Sequence, residues 1–213
     1  CSLSAVQIFQ SLDFMVLQGI TGASVYKKIH SMCNGANLAY ERKVFYEAGG
    51  FAGIDAVASG DDMLLMHKIW KKYSDFFFFL KSKDAIVATQ PVNSWAAFFN
   101  QRIRWASKAD KYDDKRIFTV LLFVYLFNVS LFVLPVTSLF IHFSFPIIYY
   151  WLLLLAAKTI VELFFLYPVA VFFSKTKLLW LFPLFQPLHI LYTCVAGFLG
   201  KFGTYTWKGR KVK

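Results

Sequence analysis

Polar and apolar positions are distributed very differently on the two sides of Lys115. Beyond it lie three long apolar runs, about 117–141, about 145–173 and 178–200, followed by a basic tail from Lys201 to Lys213. Roughly 20 apolar residues cover a bilayer core, so the first two runs are each long enough to span one. Before Lys115 the apolar residues come in short groups separated by Gly, Lys and Asp, and nearly all the acidic residues fall there. The pattern predicts a water-facing part over residues 1–110 and an α-helical membrane region over 111–213, with two or three membrane segments.

Within the first part the spacing predicts alternating helices and short strands. Val6, Phe9, Phe14 and Leu17 recur at helical intervals from Ser4 to about Gln18, and Gly19 with Gly22 is expected to end that helix. A short buried strand is expected over Cys33 to Tyr40. Glu41 to Ala48 reads as a helix closed by Gly49-Gly50, and Gly60-Asp61-Asp62 opens another that continues to Lys72. Phe76 to Leu80 and Ala85 to Thr89 read as short strands around a turn at Asp84, and a further helix starts near Ser94. Together these give an α/β class for residues 1–110.

The third apolar run does not read as a simple span. The connector Ile141-His142-Phe143-Ser144 has no Lys or Arg, whereas the stretches Lys108 to Arg116 and Lys175 to Lys177 are basic, which assigns both to the cytosolic side. A complete third crossing would carry the basic tail outside. Pro183 and Pro187 remove backbone donors and kink helices, so a broken, re-entrant or interfacial segment that returns Trp207 to Arg210 to the cytosolic surface stands beside the spanning alternative.

Composition supports the division. Hydrophobic residues make up 58% of the 213, aromatics 20% with 25 Phe, well above the balance of soluble domains. The formal net charge is +11, but the basic clusters flank apolar runs and no nucleic-acid-binding signature accompanies them. Anionic lipid headgroups fit that placement, and nucleic acid is excluded as a partner. Cys1, Cys33 and Cys194 form no C-x-x-C pair, so neither a disulfide framework nor a zinc site is indicated. The chain begins on Cys1, its first Met is Met15 and it holds no D-x-D triplet, which leads us to expect a nucleotide-binding half upstream.

Gln101-Arg102-Ile103-Arg104-Trp105 stands out among the polar residues. On a helix Gln101, Arg104 and Trp105 are related by i,i+3 and i,i+4, which puts an amide, a guanidinium and an indole on one face while Arg102 and Ile103 point elsewhere. Such a face can hold diphosphate oxygens bidentately and stack on the apolar side of a sugar ring. Asp62 falls on the first turn of its helix, where the dipole favours a carboxylate, although Ser59-x-x-Asp62 also reads as a capping box. His67 is five residues beyond Asp62 and off its face, hence a surface or packed histidine. Lys158 and Glu162 form an i,i+4 pair inside the second run, read as a structural pair before a channel lining. His189 and Gln186 are too isolated to assign.

In order and spacing these residues resemble the family 2 glycosyltransferases of the cellulose synthase and hyaluronan synthase type, in their C-terminal portion. Asn34-Gly35-Ala36-Asn37 is similar to the family's acceptor-side segment, Gly60-Asp61-Asp62 to its T/G-E-D triplet with Asp at 61, and Gln101 to Trp105 to its Q-x-x-R-W motif. The resemblance implies a Rossmann-like type A glycosyltransferase domain, here incomplete, and inverting transfer from a nucleotide-diphosphate sugar to a polysaccharide or lipid acceptor. It implies Asp62 as general base and Gln101 with Arg104 as the diphosphate grip. Trp105 would be the floor under the acceptor sugar, Asp61 an acceptor-orienting carboxylate, and Asn34, Gly35 and Asn37 acceptor contacts. Mg2+ or Mn2+ is the implied cofactor, with ligands upstream. The location implied is the plasma (inner) membrane with the catalytic part in the cytosol. The contrasting expectation is a non-enzymatic membrane scaffold or transporter fragment, in which Lys158 and Glu162 would be the working residues.

Overall fold

The computed structural model describes residues 4–28, 33–54, 60–109, 115–140 and 145–212. Its main elements are α1 (Ala5–Lys27), α2 (Arg42–Glu47), α3 (Asp61–Tyr73), α4 (Trp95–Ala106), α5 (Lys115–Phe140), α6 (Phe145–Phe172), α7 (Gln186–Phe202) and the two strands β1 (Tyr205–Trp207) and β2 (Arg210–Val212). The α/β, Rossmann-like architecture expected for residues 1–110 is not found among the described residues. The described sheet is a single hairpin, and the three segments read as strands do not pair. Residues 35–37 form an exposed 3-10 turn held by Asn34, whose side chain accepts the Ala36 N–H at 3.1 Å. Phe77 and Leu38 have extended backbone without a ladder beside them, since extended sequence becomes strand only where a neighbour supplies the bonds.

Glycine explains a second correction. α1 runs through both Gly19 and Gly22 to Lys27. A Cβ on Gly19 would lie 2.8 Å from Val169 Cγ2, so this glycine lets α1 and α6 approach rather than ending the helix. Leu12 and Met15 pack there with Leu166, Ala170 and Phe182. By contrast α2 closes as expected: the Gly50 N–H donates to Phe45 O at 2.9 Å and both Gly49 and Gly50 have positive φ. α3 starts where expected, with Gly60 (φ +92°) as its N-cap; Ser59 lies outside the described residues.

α5 and α6 are long and apolar enough to cross a membrane, with peak mean hydropathies of 2.5 and 1.9. Only 17% and 11% of those windows are buried, which separates them from the core helices of a soluble domain. Trp151 ties them together by donating its indole N–H to Leu131 O at 2.8 Å.

The third apolar run is broken. Two 3-10 turns, Thr176–Leu181 and Pro183–Phe185, precede α7, whose 17 residues run beside α4. A Cβ on Gly200 would meet the Ala106 backbone at 2.9 Å, and Phe98, buried completely, packs edge-on against Tyr192. Burying a side chain of that size contributes about 1.5–3 kcal/mol. The tail then turns back through Lys208 and Gly209, both at positive φ as a tight hairpin turn requires. Asn100 of α4 brackets Thr206 like a neighbouring strand, its amide donating to Thr206 O and accepting the Thr206 N–H, both at 2.8 Å. The hairpin of the basic tail therefore lies against α4.

Candidate active site

α3 is fixed by its apolar face, where Leu65 and Ile69 bury against Ala48 with Val44 and Phe45 of α2 around them. That anchoring aims its first turn, Asp61 and Asp62, outward. The Asp62 carboxylate is held at both oxygens: Oδ1 accepts the Met63 N–H and Oδ2 the Gly35 N–H, each at 2.8 Å. Gly35 is required for this approach, because a Cβ there would sit 2.6 Å from Oδ2. The Asn34–Asn37 segment and the Gly60–Asp62 triplet, 27 residues apart, thus meet through one hydrogen bond.

The C-terminal end of α4 completes the cluster. Arg104 is half-buried, with its guanidinium 4.0 Å over the Trp207 ring of β1. Burial lowers its pKa, while Tyr205 and Asp62 act in the opposite direction. Lys108, one turn further on, is only 7% exposed, and its stem lies over Gly60. Burial, then the neighbouring Arg104, bring its ammonium down to about 8 against the pull of Asp62 and Asp61. Cys33 closes the other side, its thiol pushed up to about 12 by burial and then by the Asp62 charge. A carboxylate fixed by backbone donors therefore faces two dehydrated cations, an arrangement able to take a proton on one side and hold an anion on the other.

The remaining expected residues stand elsewhere. Gln101 and Trp105 direct their contacts to Arg102: the amide oxygen of Gln101 accepts from Nη1 at 2.7 Å, and the guanidinium lies 4.3 Å from the Trp105 ring centroid. The single face expected for Gln101, Arg104 and Trp105 is thus divided, with Arg104 turned to Asp62 and Trp207. Asn37 donates to Ala85 O at 2.7 Å, pinning the 3-10 turn to the next loop. Asp61 is exposed beside Asp62. His67 is packed in the α3 core, one of the two readings its position left open.

Sequence reading passed over four residues that matter here. Arg102 is buried and pairs with Asp13 of α1 through Nε at 2.9 Å and through Nη2, and Tyr192 of α7 donates to the other Asp13 oxygen at 2.5 Å. This triad locks α4 between α1 and α7. No short-range signal links positions 13, 102 and 192. Lys108 did have one: it follows Arg104 by four residues, just beyond the C-terminal end of α4. In the apolar half, Lys158 joins Glu162 at 2.8 Å as expected, but Gln186 and His189 are not isolated. Gln186 accepts from Lys158 at 2.7 Å and donates to Glu162 at 2.6 Å, with His189 Nδ1 3.4 Å from Lys158.

Among the described residues no three His, Cys, Asp or Glu side chains are grouped to hold a metal ion. Asp61 and Asp62 alone do not fit the divalent cation that the resemblance implies. No curated protein and no solved structure matches the chain. A family model described as glycosyl transferase family group 2 matches residues 9–199, a span that takes in Asn34 to Asn37, Gly60 to Asp62, the Gln101 to Trp105 helix and all the apolar segments. The chain belongs to that family and is a glycosyltransferase.

Proposed function

We propose that this glycosyltransferase works at a membrane and inverts the anomeric carbon, moving a sugar from a nucleotide-diphosphate donor to a polysaccharide or lipid acceptor with Asp62 as general base. The observation that carries the reading is the Asp62 carboxylate, held by the Gly35 and Met63 N–H groups and faced by Arg104 and Lys108. Asp62 takes the proton of the acceptor hydroxyl as that oxygen attacks the anomeric carbon. The carbon–oxygen bond to the diphosphate breaks, and the departing charge is met by Arg104. In this reading Asp61 and the Asn34–Asn37 turn, which is bonded to Asp62 through the Gly35 N–H, serve the acceptor. Gln101 acts through Arg102, keeping the helix that presents Arg104 in place, and Trp105 offers a sugar only the ring face that Arg102 leaves open.

α5 and α6 support a membrane setting, and the basic residues that flank the apolar runs in the sequence support a cytosolic catalytic part on anionic lipid. The Gln101 to Trp105 helix leans the reading toward a polymer synthase of the cellulose or hyaluronan type over a single transfer to lipid; product length separates the two. A scaffold or transporter would instead depend on the Lys158–Glu162–Gln186–His189 cluster. The deciding experiment is Asp62→Asn in the intact membrane protein, with sugar transfer and donor binding both measured. The variant keeps the shape of the side chain and should lose transfer by about a thousandfold or more while binding donor. Turnover near the wild-type rate would overturn the base assignment.

A further inference from the structure

Lys108 is the most unusual charge in the water-facing half of this protein. It is 7% exposed, although lysine is almost never buried without compensation. Its neighbours make the cost larger, since Arg104 is a second cation on the same side of α4 and repels it. Asp61 and Asp62 attract it, yet neither Lys108 nor Arg104 forms an ion pair with them among the described residues, and both oxygens of Asp62 already accept backbone N–H groups. The side chain lies directly against the Gly60-Asp61-Asp62 triplet: a Cβ at position 60, a glycine held at φ +92° as the N-cap of α3, would be 2.7 Å from both Cδ and Nζ of Lys108.

We propose that Lys108 is a second phosphate-binding residue of the site, its ammonium acting beside the Arg104 guanidinium on the anionic leaving group of the donor. This rests on the nucleotide-diphosphate donor assigned above. The two cations complement each other chemically: the planar guanidinium engages a pair of oxygens side by side, and the ammonium is a compact point charge that follows the oxygen on which charge accumulates. In the free protein the pair repels itself in a dry setting. A bound diphosphate relieves that repulsion, and the relief grows as the anomeric bond breaks and charge builds on the leaving oxygen. Lys108 therefore contributes to donor affinity and to the bond-breaking step, while the acceptor is left to Asp62 and the Asn34–Asn37 turn.

The test is binding of UDP, GDP, CDP and ADP, each with excess Mg2+, to the intact membrane protein in detergent, for wild type, Lys108→Met and Lys108→Arg. The nucleotide that wild type prefers should bind about tenfold or more weakly to Lys108→Met and within a few-fold of wild type to Lys108→Arg, since a charge-assisted hydrogen bond is worth about 1.5–3 kcal/mol. Among the described residues, the charged groups facing Lys108 are Arg104 of α4 and Asp61 and Asp62 of α3. Lys108 loses its charge as pH rises through about 8, so wild-type binding should weaken over that range while that of Lys108→Arg stays level. A purely structural lysine would show neither the rescue by Arg nor the pH difference. Unchanged affinity in Lys108→Met overturns this inference and leaves the proposed function standing. Failure of every nucleoside diphosphate to bind wild type overturns the donor assignment, and this inference with it.

Discussion

Removing Arg102 should destabilise the protein far more than removing either of the residues it helps to present. The Arg102 and Asp13 side chains are each 4% exposed. Two guanidinium nitrogens converge on one Asp13 oxygen, Tyr192 donates to the other, and the guanidinium lies 4.5 Å from the Phe98 ring centroid and 4.3 Å from that of Trp105. Arg102→Met keeps the apolar volume but leaves the Asp13 carboxylate buried with only a phenol for compensation. Stranding one member of such a pair costs about 3–5 kcal/mol. Asp13→Leu should cost less, because Gln101 and two aromatic faces still stabilise the guanidinium. The double variant should recover most of the loss, as an apolar pair of similar volume is often neutral or better. Denaturant unfolding in detergent, followed by tryptophan fluorescence, gives the four corners of the cycle. The reasoning fails if Arg102→Met costs less than about 1 kcal/mol, or if the two single losses simply add.

Three further outcomes follow from the site and its surroundings. Gly35→Ala places a methyl group 2.6 Å from Asp62 Oδ2 on an exposed turn, so transfer should fall by about a hundredfold with the unfolding midpoint unchanged; wild-type transfer would show that the contact is idle. Cys33, with its thiol pushed up to about 12, is neutral across ordinary pH and loses its proton only as pH approaches that value. At pH 8 it should react with iodoacetamide about a thousandfold more slowly than an ordinary thiol, and faster in Asp62→Asn, as read by mass spectrometry. A cysteine introduced at Arg210 should be labelled from the same side of the membrane as one introduced at Lys83, because the hairpin rests on α4; labelling of Arg210→Cys from the opposite side alone would contradict the broken third segment.

What the sequence made legible is what depends on neighbours a few residues away. The starts of α3 and α4 were marked by Gly60-Asp61-Asp62 and Ser94, the close of α2 by Gly49-Gly50, and the extents of α5 and α6 by long apolar runs. Most of the failures involve partners distant in sequence. Residues 76–80 and 85–89 have the composition of strands, but composition cannot supply a second strand to bond with. Gly19 carries the same local signal as a helix-ending glycine; only the ring of Phe165 and the methyl of Val169, some 150 residues on, make it a contact residue. Gln186 and His189 looked isolated because the residues they meet, Lys158 and Glu162, are on another helix.

The Gln101 to Trp105 pentad joins these two kinds of information. Its helical spacing was sound, but spacing states which side chains share a face and not which face is turned to the site. The deciding force is the burial of Arg102 against Asp13, which rotates α4 so that Gln101 and Trp105 close around that guanidinium. Arg104 and Lys108, four residues apart, are thereby left on the side where α3 presents Asp62. The orientation of the helix is thus set by the arginine the motif does not specify. A substitution at Asp13, on the far side of α4 and more than 40 residues from Asp62 in the chain, should accordingly reach the reaction through the angle at which Arg104 is offered.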